Sequence, residues 1–252
     1  MIKNLFILGC GRSGTSLVTG LFRNSGYYMG DRLYPPRDSN PLGFFEDAEV
    51  NSINENLLIP FFPRPFAHQG IQYGLDSPGK GHSWLARLDP DMKPVASVTD
   101  IERIRKLILQ TPFCFKDPRF CYTLPIWLQE NTSARFLCIF RHPAEVVCSI
   151  LKEVHSMPYL FNFAISVNQV FEVWRLMYQR ILDQYPAKDD WLFLYYDDLF
   201  CSSTLDRISE FAGTSVDRSF PQPQLKRSTA SIPLDKSTEL LFQALMQRSE
   251  QI

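Results

Sequence analysis

Short apolar runs of four to six residues alternate along this chain with longer segments whose apolar positions recur at helical spacing. The runs predict strands over 3–8, 112–116, 135–140 ("RFLCIF") and 191–196 ("WLFLYY"), with a weaker one near 95–98. The intervening segments predict helices over 14–25, 46–58, 100–110, 122–130, 143–154, 162–184, 203–212 and 235–250. Strands alternating with helices argue for an α/β fold: a three-layer α/β/α arrangement around a mainly parallel central sheet. Within "VFEVWRLMYQRIL", the residues Val170, Val173, Trp174, Met177 and Ile181 share one helical face and read as a core stripe.

The alternation lapses between residues 60 and 94, where "PFFPRPFAHQGIQYGLDSPGKGHSW" is dense in proline, glycine and aromatic residues. That is long for a structureless connection, so it reads as a lid or insertion at a substrate mouth. With no internal repeat and no convincing boundary, residues 1–252 are expected to form a single domain.

Charge narrows the partners. Lys plus Arg (26) nearly balance Asp plus Glu (27), so the whole molecule gives no reason to expect nucleic acid or an anionic membrane, and any anion site must be local. No apolar stretch reaches the length of a membrane span, and the first residues lead straight into "LFILG" without a signal-peptide pattern, making the cytoplasm the expected compartment. The six cysteines are scattered without metal-ligand spacing; they read as reduced core thiols, and no metal site is expected.

The candidate chemistry starts in "FILGCGRSGTSLV", residues 6–18. Gly9 and Gly14 match the outer glycines of G-x-x-x-x-G-K-[ST], but Thr15 occupies the lysine slot. Gly9, Gly11 and Gly14 allow a tight turn with inward-facing N–H groups, and the start of the next helix adds partial positive charge. The same glycines would also suit a ligand-free strand-to-helix turn. A triphosphate needs a cation on its outer phosphates and a hydroxyl on Mg2+. Arg12 with the Thr15 and Ser16 hydroxyls suits instead one phosphate carrying a further anionic group, with no metal required.

Two more segments carry cations at strand ends. In "RFLCIFRHPAEVVCSI", Arg141 ends a buried-type strand, Pro143 suits the first helical position, and Ser149 shares a helix face with Glu145. In "TPFCFKDPRF", Lys116 ends a short strand before the Asp117–Pro118 turn, and Arg119 follows. Each alone also fits a cap, a packing serine or a solvated charge. Together Arg12, Lys116 and Arg141 point to a local polyanion pocket.

With these residues in place, the sequence resembles the sulfotransferase family that uses 3'-phosphoadenosine-5'-phosphosulfate (PAPS), which implies a P-loop NTPase-like form of the α/β/α fold. "GCGRSGTSLV" is similar to its 5'-phosphosulfate loop and "FRHPAEVVCS" to its 3'-phosphate motif. "FKDP", "NPLGFFEDAEVNSINENLL" and "YYDDL" resemble segments of its tyrosylprotein, bacterial and carbohydrate-type members. The resemblance implies that Gly11, Arg12, Ser13, Gly14, Thr15 and Ser16 hold the 5'-phosphosulfate and that Arg141 and Ser149 hold the 3'-phosphate. Arginine in the loop, where cytosolic members carry lysine, matches the tyrosylprotein branch. Tyr196 would sit near the nucleotide or simply be a core aromatic at a strand end. Lys226 and Arg227 in "QLKRSTAS" are candidates for a closing basic loop, although the Arg-Lys-Gly form of cytosolic members is absent.

The implied reaction passes a sulfuryl group from PAPS to a hydroxyl or amine of a small-molecule, carbohydrate or peptide acceptor. Lys116 and Arg12 would neutralise the leaving phosphate oxygen, and Glu46, expected to open a helix, is the first candidate for general base. Asp47, His68 and His82 are the alternatives. A P-loop nucleotide or small-molecule kinase, and a non-catalytic nucleotide-binding scaffold, are the competing readings.

Overall fold

The computed structural model of the protein describes residues 1–62, 66–68, 71–73, 81–130, 133–160, 163–185, 188–225 and 232–250, with 66–68, 71–73 and 225 described in backbone alone. In chain order the elements are β1 (Asn4–Leu8), α1 (Thr15–Gly20), α2 (Ala48–Leu58), β2 (Phe66–His68), β3 (Ile71–Tyr73), α3 (Val98–Ile108), β4 (Cys114–Lys116), α4 (Phe120–Leu128), β5 (Ala134–Phe140), α5 (Pro143–Ser156), α6 (Val167–Gln184), β6 (Trp191–Tyr195), α7 (Ser202–Ala212) and α8 (Lys236–Glu250).

Four strands form one parallel sheet in the order β4-β1-β5-β6, while β2 and β3 make a separate antiparallel hairpin inside the predicted insertion. The central strand β1 is apolar at consecutive positions because both its faces are covered. Phe6 and Leu8 point to one side, into a core shared with α2, α3, α4, α5, α6 and α8. Leu5 and Ile7 point to the other, against α1 and α7. Side chains alternate along a strand, so the two clusters are the two faces of one sheet and the protein has three layers. Phe6 holds its side together through edge-on contacts with Phe113 and Phe120, at 5.2 and 5.1 Å between ring centroids. The stripe of α6, from Val170 to Ile181, is buried as expected.

Position within the sheet matters for function. β1 lies between β4 and β5, so the chain order reverses beside it, and open parallel sheets bind ligands outside the carboxyl ends of the strands at such a point. The loops after β1, β4, β5 and β6 all emerge at that edge.

Several predicted elements differ. Residues 95–98 form no strand: the Ser97 side chain accepts from the Asp100 backbone N–H and caps α3, so a capping hydroxyl overrides the β-branched run. The first helix stops at Gly20 and continues as turns rather than reaching residue 25. The helix predicted over 162–184 begins at Val167, where Ser166 and Gln169 build a reciprocal cap. Of the six cysteines, Cys10, Cys114, Cys121 and Cys138 are buried, Cys148 is half-buried and Cys201 is exposed. Among the described residues, no helix is long and apolar enough to cross a membrane.

Candidate active site

At the carboxyl edge of the sheet lies a cavity of about 610 Å3, and its lining includes Arg12, Lys116 and Arg141, the cations from three different strand ends. Gly11, Gly14, Thr15, Ser16, Glu46, Ser149 and Tyr196 line it too. Six basic side chains (Arg12, Arg37, Lys116, Arg119, Arg141, Lys152) face three acidic ones (Asp38, Glu46, Glu153) there, a local positive excess in a chain of net charge -1. That is the electrostatic signature of a polyanion pocket.

The loop between β1 and α1 is built for close approach. Gly14, at the N-cap of α1, has φ 100°, and a Cβ there would fall 2.4 Å from the Tyr196 ring. Only glycine meets both demands. Arg12 is itself left-handed, with φ 68°, a conformation that costs a non-glycine residue about 1–2 kcal/mol. From there its side chain crosses the cavity: Nε donates to Ser149 Oγ at 3.1 Å, a terminal nitrogen donates to the Ser39 carbonyl at 2.9 Å, and the other lies 3.6 Å from Glu153. Thus the loop arginine and the serine of α5 meet directly. Ser13 is different. Its hydroxyl is fully buried, 3.0 Å from the Tyr178 hydroxyl, which gives its single proton to the Ile139 carbonyl at 2.6 Å. Any contact of Ser13 with a ligand would therefore go through its backbone.

Arg141 is buried at the end of β5, with Nε donating to Glu145 at 2.6 Å and the guanidinium 4.3 Å from the Tyr196 ring centroid. Pro143 at the first helical position and Glu145 in the first turn start α5 and set this pair one turn apart. Tyr196 belongs to the core cluster packed on α1 and α7 and also contacts the Gly14 backbone and Arg141. Leu17, Phe200 and Phe220 also line the cavity and belong to the same hydrophobic cluster as Tyr196.

Lys116, buried at the end of β4, forms an ion pair with Glu46 and donates to Ser16 Oγ at 3.1 Å. Glu46 does not open α2, as its sequence context suggests; it precedes the cap. The cap is Asp47, whose carboxylate accepts from the Glu49 and Val50 amides and from Arg32 N. Asp47 is nearly inaccessible and committed to these bonds, which removes it as a base. Glu46 takes its stabilisation from Lys116, not from a helix end.

His82 lines the cavity, with its ring 5.6 Å from that of Tyr159, and its Nδ1 is buried without a partner among the described residues. Burial holds its pKa below the ordinary histidine value. The side chain of His68 and both Lys226 and Arg227 lie outside the described residues.

Glu153 and Arg37 went unread in the sequence, as did the partners of Asp117 and Arg119. Glu153 accepts from the Tyr159 hydroxyl at 2.6 Å while facing Arg12. Arg37 stacks on the Tyr159 ring at 5.0 Å. Behind Lys116, Asp117 accepts from Asn51 and Asn54 at 2.8 and 2.9 Å and pairs with Arg119, which pairs in turn with Glu55. The usable signal was the spacing of Asn51, Asn54 and Glu55, which puts three polar side chains on one face of α2.

The family model described as "Sulfotransferase family" matches residues 4–218. No curated protein matches the sequence. Among solved structures, the sulfotransferase domain from the Synechococcus PCC 7002 olefin synthase is 18% identical with a TM-score of 0.51, covering 96% of this chain and 94% of its own. The sulfotransferase domain from the curacin biosynthetic pathway is 16% identical with a TM-score of 0.53, covering 98% of each chain. At these identities the likeness shows a shared fold.

Proposed function

The chain belongs to the sulfotransferase family, and we propose that it transfers the sulfuryl group of PAPS to a hydroxyl or amine of an acceptor. One observation carries this reading: Arg12, Lys116 and Arg141, delivered by three parallel strands, line a single cavity together with the Thr15, Ser16 and Ser149 hydroxyls. A ligand with anionic groups at two ends matches that layout. The first end is the loop of Gly11, Gly14, Thr15 and Ser16 at the start of α1, where backbone N–H groups favour a phosphosulfate. The second is Arg141 with Ser149, suited to a 3'-phosphate. The apolar residues Leu17, Phe200 and Phe220 suit the adenine, which hangs from the ribose that carries both anionic groups.

In the reaction, the acceptor oxygen or nitrogen forms a bond to sulfur while the bond from sulfur to the 5'-phosphate oxygen breaks. The acceptor proton goes to a base, and adenosine 3',5'-bisphosphate leaves with the added negative charge. By analogy with phosphoryl transfer, the transition state is loose and fixed positive charge does most of the work. Lys116 takes the place in space of the lysine the loop lacks, since its ammonium reaches Ser16 from the neighbouring strand. Glu46, on the same ammonium, is the base we favour. Its ion pair holds it on Lys116 at the cavity wall, and a general base must lie within hydrogen-bond reach of the acceptor atom.

Thermal shift and calorimetry test the donor. Adenosine 3',5'-bisphosphate is expected to bind and stabilise the protein without Mg2+, and more strongly than Mg-ATP; preference for Mg-ATP would replace this reading with a kinase.

A further inference from the structure

Resting on that reading, we infer that Glu55 and Arg119 are positioning residues: their buried pair clamps residues 81–84 against the Lys116 end of β4, fixing the wall that faces the reacting groups. The Glu55 carboxylate accepts from four donors of two other segments: the Gly81 and Ser83 amides, both at 3.0 Å, the Ser83 hydroxyl, and Arg119 Nε at 2.6 Å. Arg119 closes the loop by donating to the Gly81 carbonyl at 3.1 Å and to Asp117 at 3.0 Å, and its own backbone N–H donates to Asp117 at 2.8 Å. Asp117 directly follows Lys116.

The clamp thus joins three pieces far apart in sequence: α2, the end of the predicted insertion and the turn carrying the active-site lysine. What it holds faces the cavity. His82 lies between the two clamped residues, and Trp84 is so close to the phosphate loop that a Cβ on Gly11 would fall 2.5 Å from its ring. Glu55, Arg119 and Ser83 are almost fully buried. A buried ion pair is weak as a stability device because desolvation offsets much of its attraction, whereas each donor and acceptor here fixes a direction. The donor is gripped elsewhere, by the loop amides, Arg141 and Ser149. Loosening the clamp therefore misplaces the wall and Lys116 while leaving donor affinity in place, and a displacement of about 1 Å is enough to cost roughly 100-fold in rate.

The test uses Glu55→Gln, and Ser83→Ala as a milder change that removes one hydroxyl and no charge. Three quantities are compared with the unaltered protein: hydrogen exchange at the Gly81 and Ser83 amides, affinity for adenosine 3',5'-bisphosphate, and the rate of radiolabelled sulfate release from PAPS to water per folded molecule. Expected in Glu55→Gln are faster exchange at both amides, affinity within about 3-fold, and a release rate about 100-fold lower; Ser83→Ala shifts each in the same direction by less. The clamp is overturned if the two amides stay protected, if the rate falls only as far as the folded fraction does, or if affinity falls in step with rate. Failure of the unaltered protein to bind the bisphosphate would defeat the donor reading instead, and the exchange measurement would still decide the clamp.

Discussion

Lys116 donates to the Ser16 hydroxyl at 3.1 Å, so an ammonium from β4 reaches the first turn of α1 across the sheet edge. A lysine supplied by the loop itself would be fixed to one phosphate geometry; one supplied by the adjacent strand can also hold Glu46. Replacing Lys116 with methionine, close in volume but uncharged, is expected to lower sulfuryl transfer by roughly 100-fold to 1000-fold. Adenosine 3',5'-bisphosphate affinity should fall far less. Single-turnover release of radiolabelled sulfate against calorimetric affinity checks the split, and equal losses in both would move Lys116 from catalysis to binding.

Arg12 meets Ser149 and Glu153 in the same cavity. A carboxylate there opposes a phosphate and restrains the arginine. Glu153→Gln is therefore expected to bind adenosine 3',5'-bisphosphate more tightly, on the order of 1 kcal/mol or about 5-fold at low salt. Ser149→Ala is expected to weaken the bisphosphate by about 5-fold to 10-fold and to leave adenosine 5'-phosphate unchanged. Titration calorimetry with both nucleotides reads each outcome; parallel loss of the two nucleotides in Ser149→Ala would place the hydroxyl at the 5' end.

Gly14 gives the loop its contact with Tyr196. Gly14→Ala forces a left-handed φ on alanine and drives a methyl into the ring, costing about 1–3 kcal/mol and moving the aromatic that Arg141 rests on. A lower melting temperature together with weaker bisphosphate binding is expected. Unchanged melting would mean the loop has another conformation available.

Glu55 gives the fold an acid limit. Burial opposes its charge, but Arg119 and the hydrogen bonds from Ser83 and Gly81 outweigh that penalty and hold its pKa below the ordinary carboxylate value. A lowered folded-state pKa contributes stability above the unfolded value, about 4.3, and this is lost as pH falls through the folded pKa. Melting temperature should therefore drop as pH falls from about 5 to 3, and less steeply in Glu55→Gln, which carries no titrating group at this position. Parallel profiles would assign the acid sensitivity to other carboxylates.

The sheet was legible because burial on both faces leaves an unbroken apolar run, as in "LFIL" and "FLCIF". The grouping of Arg12, Lys116 and Arg141 was legible for a related reason: in a parallel sheet all strand ends point to one edge. Pairings were not. Glu46 finds Lys116 from 70 residues away and Arg12 finds Ser149 from 137, and no local pattern encodes such partners. Local chemistry misled twice. Glu46 looked like a helix opener, but Asp47 offered the better cap, and the β-branched residues near 95–98 yielded to the Ser97 hydroxyl.

The strand order has a consequence for how the molecule is made. The hydrogen-bonding neighbours of β1 on its two sides are residues 114–116 and 134–138. More than 100 residues separate β1 from each of these partners, and contacts so distant in sequence form slowly, so β1 waits to have both edges satisfied. Until then the glycine loop that follows β1 has no floor beneath it. The anion-binding edge of the molecule depends on its most distant pairings and is assembled late.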